Sequence, residues 1–414
     1  MKNLGRLRDA FLSVRAFATL RYREYRLLWF GQLFGTMGGW MDEVTRGWLI
    51  YELTDSAVQL GLVRGIQAIP FLLFAPLAGS AADRYSRKTQ LVVAQIAHAL
   101  TYAATAALVL TGLIRPWHVY VTAFLVASFQ VFQQPARTSM ISDAVPHEYL
   151  TNAIGLNSLM FNVSRGIGPA IAGGLIVLMG TGGAYAVQAL FLALASLWTV
   201  AMKPVSHAHR KDQRESFLRS IVEGWKFSWN SEPVRASLSC SMLAAFFIIP
   251  FTTLLPVFAR DLLNVGATGQ GLLLTAMAIG AFASAALVAN AGHRLPRGKM
   301  MLISGMFYGL SIVMFATSPW YLLSLALMLV AGLFHVHCSV LVQTVIQSYS
   351  PPEFRGRTMA IFSMNQAVIT FGAMVFGALS AIDGARWSVA IMGTVGSLSM
   401  VALYFGMPKA RQIR

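Results

Sequence analysis

Asp42 and Glu43 stand side by side within an apolar stretch, and Arg46 follows one helical turn later. Residues four apart in a helix differ by about 40° round the axis, so Asp42 and Arg46 can pair on one face, with Glu43 in reach of the same guanidinium. A further arginine, Arg165, lies about ten residues into another apolar stretch, roughly 15 Å along it at 1.5 Å per residue. A charge at the centre of a membrane helix costs about 2.5 to 3.5 kcal/mol and persists when it is paired or faces water. Two chemistries fit Asp42 and Glu43: a structural ion pair with Arg46, or a site where a carboxylate binds substrate or takes up and releases a proton. Arg165 either meets these carboxylates or a ligand, or it bonds backbone carbonyls loosened by Gly166, Gly168 and Pro169.

Such residues need a membrane around them, and the composition supplies it. The 414 residues are 56% hydrophobic and 12% charged, which does not describe a water-soluble domain. Twelve stretches are each about long enough to cross a hydrocarbon core of ~30 Å as helix. They fall near 27 to 51, 57 to 78, 90 to 113, 118 to 136, 154 to 178, 183 to 202, 235 to 258, 269 to 290, 300 to 317, 319 to 344, 359 to 379 and 387 to 406. Asp42 and Glu43 are the only acids inside them. Continuous apolar runs exclude a barrel, whose strands alternate in polarity, so the expected fold is an all-α membrane protein of twelve transmembrane helices.

The net charge of +16 follows the topology. With these spans, most of the 32 Lys and Arg fall on the side that holds both termini, which the positive-inside rule makes cytoplasmic. Attraction to anionic lipid accounts for the excess better than nucleic-acid binding does. Residues 1–26 read as a basic cytoplasmic arm and not a signal peptide, because Arg15 interrupts the only short apolar run. Cys240 and Cys338 fall in separate spans and predict neither a disulfide framework nor a metal site. No Gly-x-x-x-x-Gly-Lys-Ser/Thr phosphate loop occurs, and no catalytic constellation supports an enzyme.

Several polar residues lie at apolar depth. Gln130, Gln133 and Gln134 in the fourth span, and Asn365 with Gln366 in the eleventh, offer hydrogen bonds to a substrate or to neighbouring helices. His335 and His337 differ by about 200° of helix rotation, so they cannot form a metal pair, although one can line a cavity. His98 reads as structural, and Arg64 as a residue snorkelling to the surface. Gly31, Gly35 and Gly39 make a small-residue stripe on the first helix.

The chain divides in two. A polar stretch from His207 to Glu215 separates six spans from six, and Pro146-His-Glu148-Tyr149 matches Pro351-Pro-Glu353-Phe354 at an offset of 205 residues. The expected organisation is an arm (1–26), a six-helix half (27–202), a cytoplasmic linker (203–234) with an interfacial helix over 217 to 229, a second half (235–408) and a cytoplasmic tail (409–414).

After the second span the sequence reads Gly79-Ser-Ala-Ala-Asp83-Arg84-Tyr-Ser-Arg87-Lys88, which resembles the loop signature of the major facilitator superfamily. Gly47 to Ser56, Gln134-Pro-Ala-Arg137 and the stretch from Arg165 through Gly168-Pro169 to Gly173-Gly174 resemble the drug and siderophore exporter branch that includes the enterobactin exporter. The last resembles the antiporter signature, with one residue more between Gly168-Pro169 and the paired glycines. The resemblance implies two six-helix pseudo-repeats and alternating access in a bacterial cytoplasmic membrane. It also implies export of a small amphipathic molecule, drug-like or siderophore, in exchange for protons. The gating loop would comprise Gly79, Asp83, Arg84, Arg87, Lys88, Arg137 and Asp143, with Asp83 near the start of the eleventh helix. The expected partners are a small-molecule substrate and lipid, with the chain a monomer, no cofactor beyond the proton gradient and no metal. An importer on the same fold and a non-transporting scaffold or sensor are the alternatives.

Overall fold

In the computed structural model, which describes residues 19–203, 217–291 and 296–413, the chain is helical, with no strand among those residues. The arm before residue 19, residues 204–216 of the linker, 292–295 and Arg414 lie outside them. The helices are α1 (Arg23–Thr54), α2 (Ala57–Arg84), α3 (Arg87–Leu110), α4 (Pro116–Asp143), α5 (Leu150–Val200), α6 (Phe217–Asn230), α7 (Glu232–Phe247), α8 (Gly266–Ala291), α9 (Arg297–Thr317), α10 (Tyr321–Tyr349), α11 (Pro352–Ser363) and α12 (Asn365–Gly406). After α7 the chain stays helical in tighter and wider turns through Leu262.

Eight helical stretches among the described residues are long and apolar enough to cross a membrane. The twelve expected spans are not all of that kind. α1 carries Asp42, Glu43 and Arg46, α4 carries three glutamines, and neither reaches the required hydropathy. Two of the eight, His147–Val200 and Pro352–Gly406, are 54 and 55 residues long. Each is turned by a glycine in the left-handed region, Gly180 (φ 71°) and Gly384 (φ 81°), and the second is also interrupted at Met364, between α11 and α12. The left-handed conformation costs glycine nothing and other residues about 1 to 2 kcal/mol, so the chain turns at these glycines without leaving helical hydrogen bonding for long. Both glycines fall in the gaps expected between spans.

The chain forms two compact units: residues 1–49 with 69–210, and 50–68 with 211–414. In the first, Tyr25, Leu28, Leu91, Met140, Ile141, Leu156 and Met202 make one apolar cluster, and Tyr25 donates its hydroxyl to Ala153 O at 2.8 Å. The C-terminus of α5 is held beside it: Lys88 Nζ donates to Val200 O and Met202 O at 2.7 and 2.5 Å, a cation meeting the negative end of a helix dipole. In the second, the last described residues pack inward. Residues 408–412 form a short helical turn, Ala410 and Ile413 are buried, and Gly298 N donates to Ile413 O at 3.1 Å.

The internal echo has structural counterparts. Pro146 and Pro351 adopt nearly the same backbone conformation (φ −59°, ψ 149° and φ −55°, ψ 152°). Tyr22 packs on Tyr149 at 5.5 Å between ring centroids, and Phe227 on Phe354 at 4.7 Å, so both partners of the aromatic pair recur at the 205-residue offset. Phe227 comes from α6, which covers the expected interfacial segment.

Candidate functional site

The charged pair lies deep in the first unit. Arg46 Nε and Nη2 donate to the two carboxylate oxygens of Asp42 at 2.9 and 3.0 Å, with the side chains 3% and 6% exposed. The bidentate geometry follows from the i, i+4 spacing and the planar guanidinium fork. The remaining arm, Nη1, donates to Thr122 Oγ1 of α4 at 3.2 Å. Thr45, on the same helix as the pair, accepts from Gln188 Nε2 of α5 at 2.8 Å. Tyr102 of α3 and Tyr185 of α5, with rings 5.7 Å apart, both face Asp42, and His98 packs on Tyr102 at 4.5 Å. A carboxylate held by two charge-assisted bonds and two aromatic neighbours is matched locally, as a buried charge requires.

Glu43, one residue round the helix, is half-buried, as is Arg165 on α5, and neither lacks a partner. Beside Arg165, Gly168 is a point of close approach: a Cβ there would meet Trp40 Cβ at 2.9 Å. Pro169 is buried inside the helix, and Gly173 is buried too, whereas a Cβ on Gly174 meets nothing within 4 Å. The expected glycine stripe of α1 is shifted. Gly31 packs tightly on Ala195 and Gly38 on Leu192, but Gly39 faces open space, because the helix face turned to α5 passes through position 38.

Of the gating-loop residues, Gly79, Asp83 and Arg84 end α2, and their side chains lie outside the described part. Arg87 Nη1 pairs with Asp143 Oδ2 at 2.7 Å, joining the starts and ends of neighbouring helices inside the first unit. Arg137 does not join that pair; its Nη2 donates to Gln134 Oε1 at 2.5 Å, one turn back on α4. Gln134 is therefore exposed and engaged by its own helix, and Gln130 is half-buried.

A family model described as Transmembrane secretion effector matches residues 14–412, nearly the whole chain. The chain belongs to this major facilitator family of transporters. It is 22% identical over 378 residues to the staphyloferrin A transporter of Staphylococcus aureus, covering 89% of this chain and 92% of that one. It is 25% identical over 402 residues to the multidrug efflux pump Tap of Mycolicibacterium fortuitum, covering 94% and 96%. Among solved structures, a bacterial homologue of the human lysosomal transporter Spinster, inward-facing and occupied, matches with a TM-score of 0.74 at 16% identity over 94% of this chain and 97% of that one. The protein is thus a multi-pass membrane transporter and not an enzyme.

In the second unit of the transporter, Asn365 donates from Nδ2 to Ser241 Oγ. His335 is half-buried and stacks on Tyr308 at 5.1 Å, while His337 is buried with Nε2 lacking a hydrogen-bond partner. The two cysteines come together from α7 and α10: their sulfurs are 3.6 Å apart, and Cys240 Sγ is 3.5 Å from Met400 Sδ. Arg357 of α11 pairs with Glu223 of α6 at 2.7 Å, which ties these two helices together.

Two clusters escaped the sequence reading. Tyr102, Tyr185, Gln188 and Thr122 come to Asp42 from three other helices; the available signal was that Gln95, His98 and Tyr102 share one face of α3. The other cluster, within the second unit, joins residues 50–68 to the turns after α7. Arg260 Nη1 pairs with Asp55 Oδ1 at 2.7 Å, and Tyr51 donates its hydroxyl to Asp261.

Proposed function

We propose that the chain is a secondary active exporter of a small amphipathic molecule, a drug-like compound or a siderophore, driven by proton antiport through the Asp42 region. The observation that carries the reading is the buried bidentate Asp42–Arg46 pair with Glu43 beside it on α1. When Asp42 takes up a proton or a substrate cation, the Arg46 guanidinium is left as a cation, and Glu43, one residue round the same helix, is the carboxylate placed to balance it within the membrane. The names of the relatives support the substrate class, since one transports a siderophore and the other exports drugs.

The same reading takes the two long stretches as two spans each and adds α1 and α4, which brings eight spans to twelve. The aromatic pairs repeated at one offset support two six-helix repeats, which would rock about a central site in a bacterial cytoplasmic membrane with both termini inside. Arg165 serves as a substrate contact and Asp83 as part of the inner gate of a monomeric transporter. Gln130, His335 and Asn365 remain candidate lining residues, and no cofactor is used beyond the gradient.

Proteoliposomes loaded with a fluorescent lipophilic cation or a ferric siderophore, under an imposed pH gradient, test the proposal. The wild-type chain is expected to transport at least one of them against its gradient. Asp42→Asn with Glu43→Gln, combined with Arg46→Gln so that no buried cation is stranded, is expected to abolish that accumulation while the protein still inserts and counterflow persists. Full gradient-driven accumulation by this triple variant would sink the coupling role.

A further inference from the structure

We propose that Gln95, His98, Tyr102, Tyr185 and Gln188 enclose a binding site for internal water beside the Asp42–Arg46 pair. Two helices build it. Gln95, His98 and Tyr102 follow one another on α3 at spacings of three and four, and Tyr185 and Gln188 on α5 at a spacing of three, so each set shares a face. The contact of Tyr102 with Tyr185 joins the two faces, and the Gln188 amide closes the site against Thr45 of α1.

All five side chains belong to residues no more than 3% exposed. Even so, Gln95 Oε1, both ring nitrogens of His98, the hydroxyls of Tyr102 and Tyr185, and Gln188 Oε1 complete no hydrogen bond within the protein. In folded proteins roughly nine buried polar groups in ten are paired. A neutral imidazole always presents one donor and one acceptor, and His98 has both unanswered. Orphaned atoms from adjoining side chains around a single ion pair share one remedy. They mix donors and acceptors, which water serves and a simple ion does not. A cation there would face Arg46, and an anion would face Asp42. At about three hydrogen bonds per buried molecule, six such atoms call for about two waters.

Water in this place gives the Asp42 carboxylate donors other than Arg46, so the pair can open without stranding a bare charge. That consequence for coupling rests on the function proposed above; the water site itself does not.

The test is X-ray radiolytic footprinting of the full chain in lipid nanodiscs. Bound water yields hydroxyl radicals in place and marks side chains that bulk solvent cannot reach. Tyr25 is the control, being as deeply buried as Tyr185 but with its hydroxyl satisfied by Ala153 O. Tyr102 and Tyr185 are expected to be modified about tenfold faster than Tyr25, as residues touching ordered water should be. Rates equal to that of Tyr25 overturn the proposal. A Gln95→Leu, Gln188→Leu double variant removes two of the water's partners and is expected to slow modification of both tyrosines severalfold; unchanged fast modification in that variant also overturns it. Labelled tyrosines in a chain without gradient-driven transport would remove the coupling function and leave the water site standing. Active transport with unlabelled tyrosines would do the reverse.

Discussion

In the first unit an aspartate and an arginine are locked together by two hydrogen bonds and ringed by tyrosine, histidine and glutamine. The interior of the second unit instead brings Cys240, Cys338 and Met400 into sulfur contact and packs backbone on backbone at Gly280 and Gly332. The two helical bundles thus differ in their tightest constraints. In the first these are partners that must be present, since Gly38 and Gly168 there are crowded by side chains; in the second they are backbone contacts that leave no room for another atom. The first unit should be sensitive to losing a group and the second to gaining one.

The sharpest way to break that contrast is to remove one member of the buried pair. Arg46→Ala leaves Asp42 uncompensated, an error that costs about 3 to 5 kcal/mol in a buried setting. Little folded protein is expected in detergent at room temperature. Adding Asp42→Asn removes the stranded charge and should restore most of the melting temperature. If the double variant melts as low as Arg46→Ala alone, the pair is not what holds this region together.

In the second unit the comparable lesion is one methyl group. A Cβ on Gly332 would stand 1.8 Å from Met277 O, and one on Gly280 would stand 1.8 Å from Leu329 O, both backbone atoms that cannot step aside. Gly332→Ala should therefore cost about 3 kcal/mol, the upper range for overpacking, and shift the chain toward aggregate in size-exclusion chromatography. Gly39→Ala in the first unit, where nothing lies within 4 Å, should be silent or slightly stabilising, since alanine favours helix. A wild-type elution profile for Gly332→Ala would show that the α8 and α10 backbones can separate.

What the sequence made legible divides along the same line. The Asp42–Arg46 bond is local, fixed by helical spacing, and it appears where the spacing puts it. The gaps expected between residues 178 and 183 and between 379 and 387 were equally local, set by the lengths of the apolar runs, and each holds the glycine at which the chain turns. Partners brought from distant helices were not legible: Thr122, Tyr102 and Tyr185 around the pair, or Cys338 opposite Cys240. Nothing in one helix's periodicity names the residue across from it. The glycine stripe shows the same limit, since Gly38 packs and Gly39 does not for reasons that depend on where α5 lies. Polarity sets α1 and α4 apart in the same way: both were expected as spans, but with Asp42, Glu43 and Arg46 on one and three glutamines on the other, neither is among the eight most apolar stretches.

The smallest expected effect makes the finest comparison, because it uses the same two side-chain types. Asp55 and Arg260 pair at 2.7 Å in the second unit, as close as the atoms of the Asp42–Arg46 pair, but their side chains are 73% and 38% exposed. Water screens such a pair and ordering two side chains opposes it, so it should contribute about 0.2 to 1 kcal/mol. A double-mutant cycle with Asp55→Asn and Arg260→Gln, read by thermal melting in detergent, is expected to give a coupling in that range. Raising the salt from 0.1 to 1 M shortens the Debye length from about 10 Å to about 3 Å and should erase it. The cycle on Asp42 and Arg46 should be several times larger and nearly indifferent to salt, because no mobile ion reaches a pair that is 3% and 6% exposed. A large, salt-resistant coupling at Asp55–Arg260 would mean that the second unit also depends on a charge that must be present, and the contrast between the two interiors would fail.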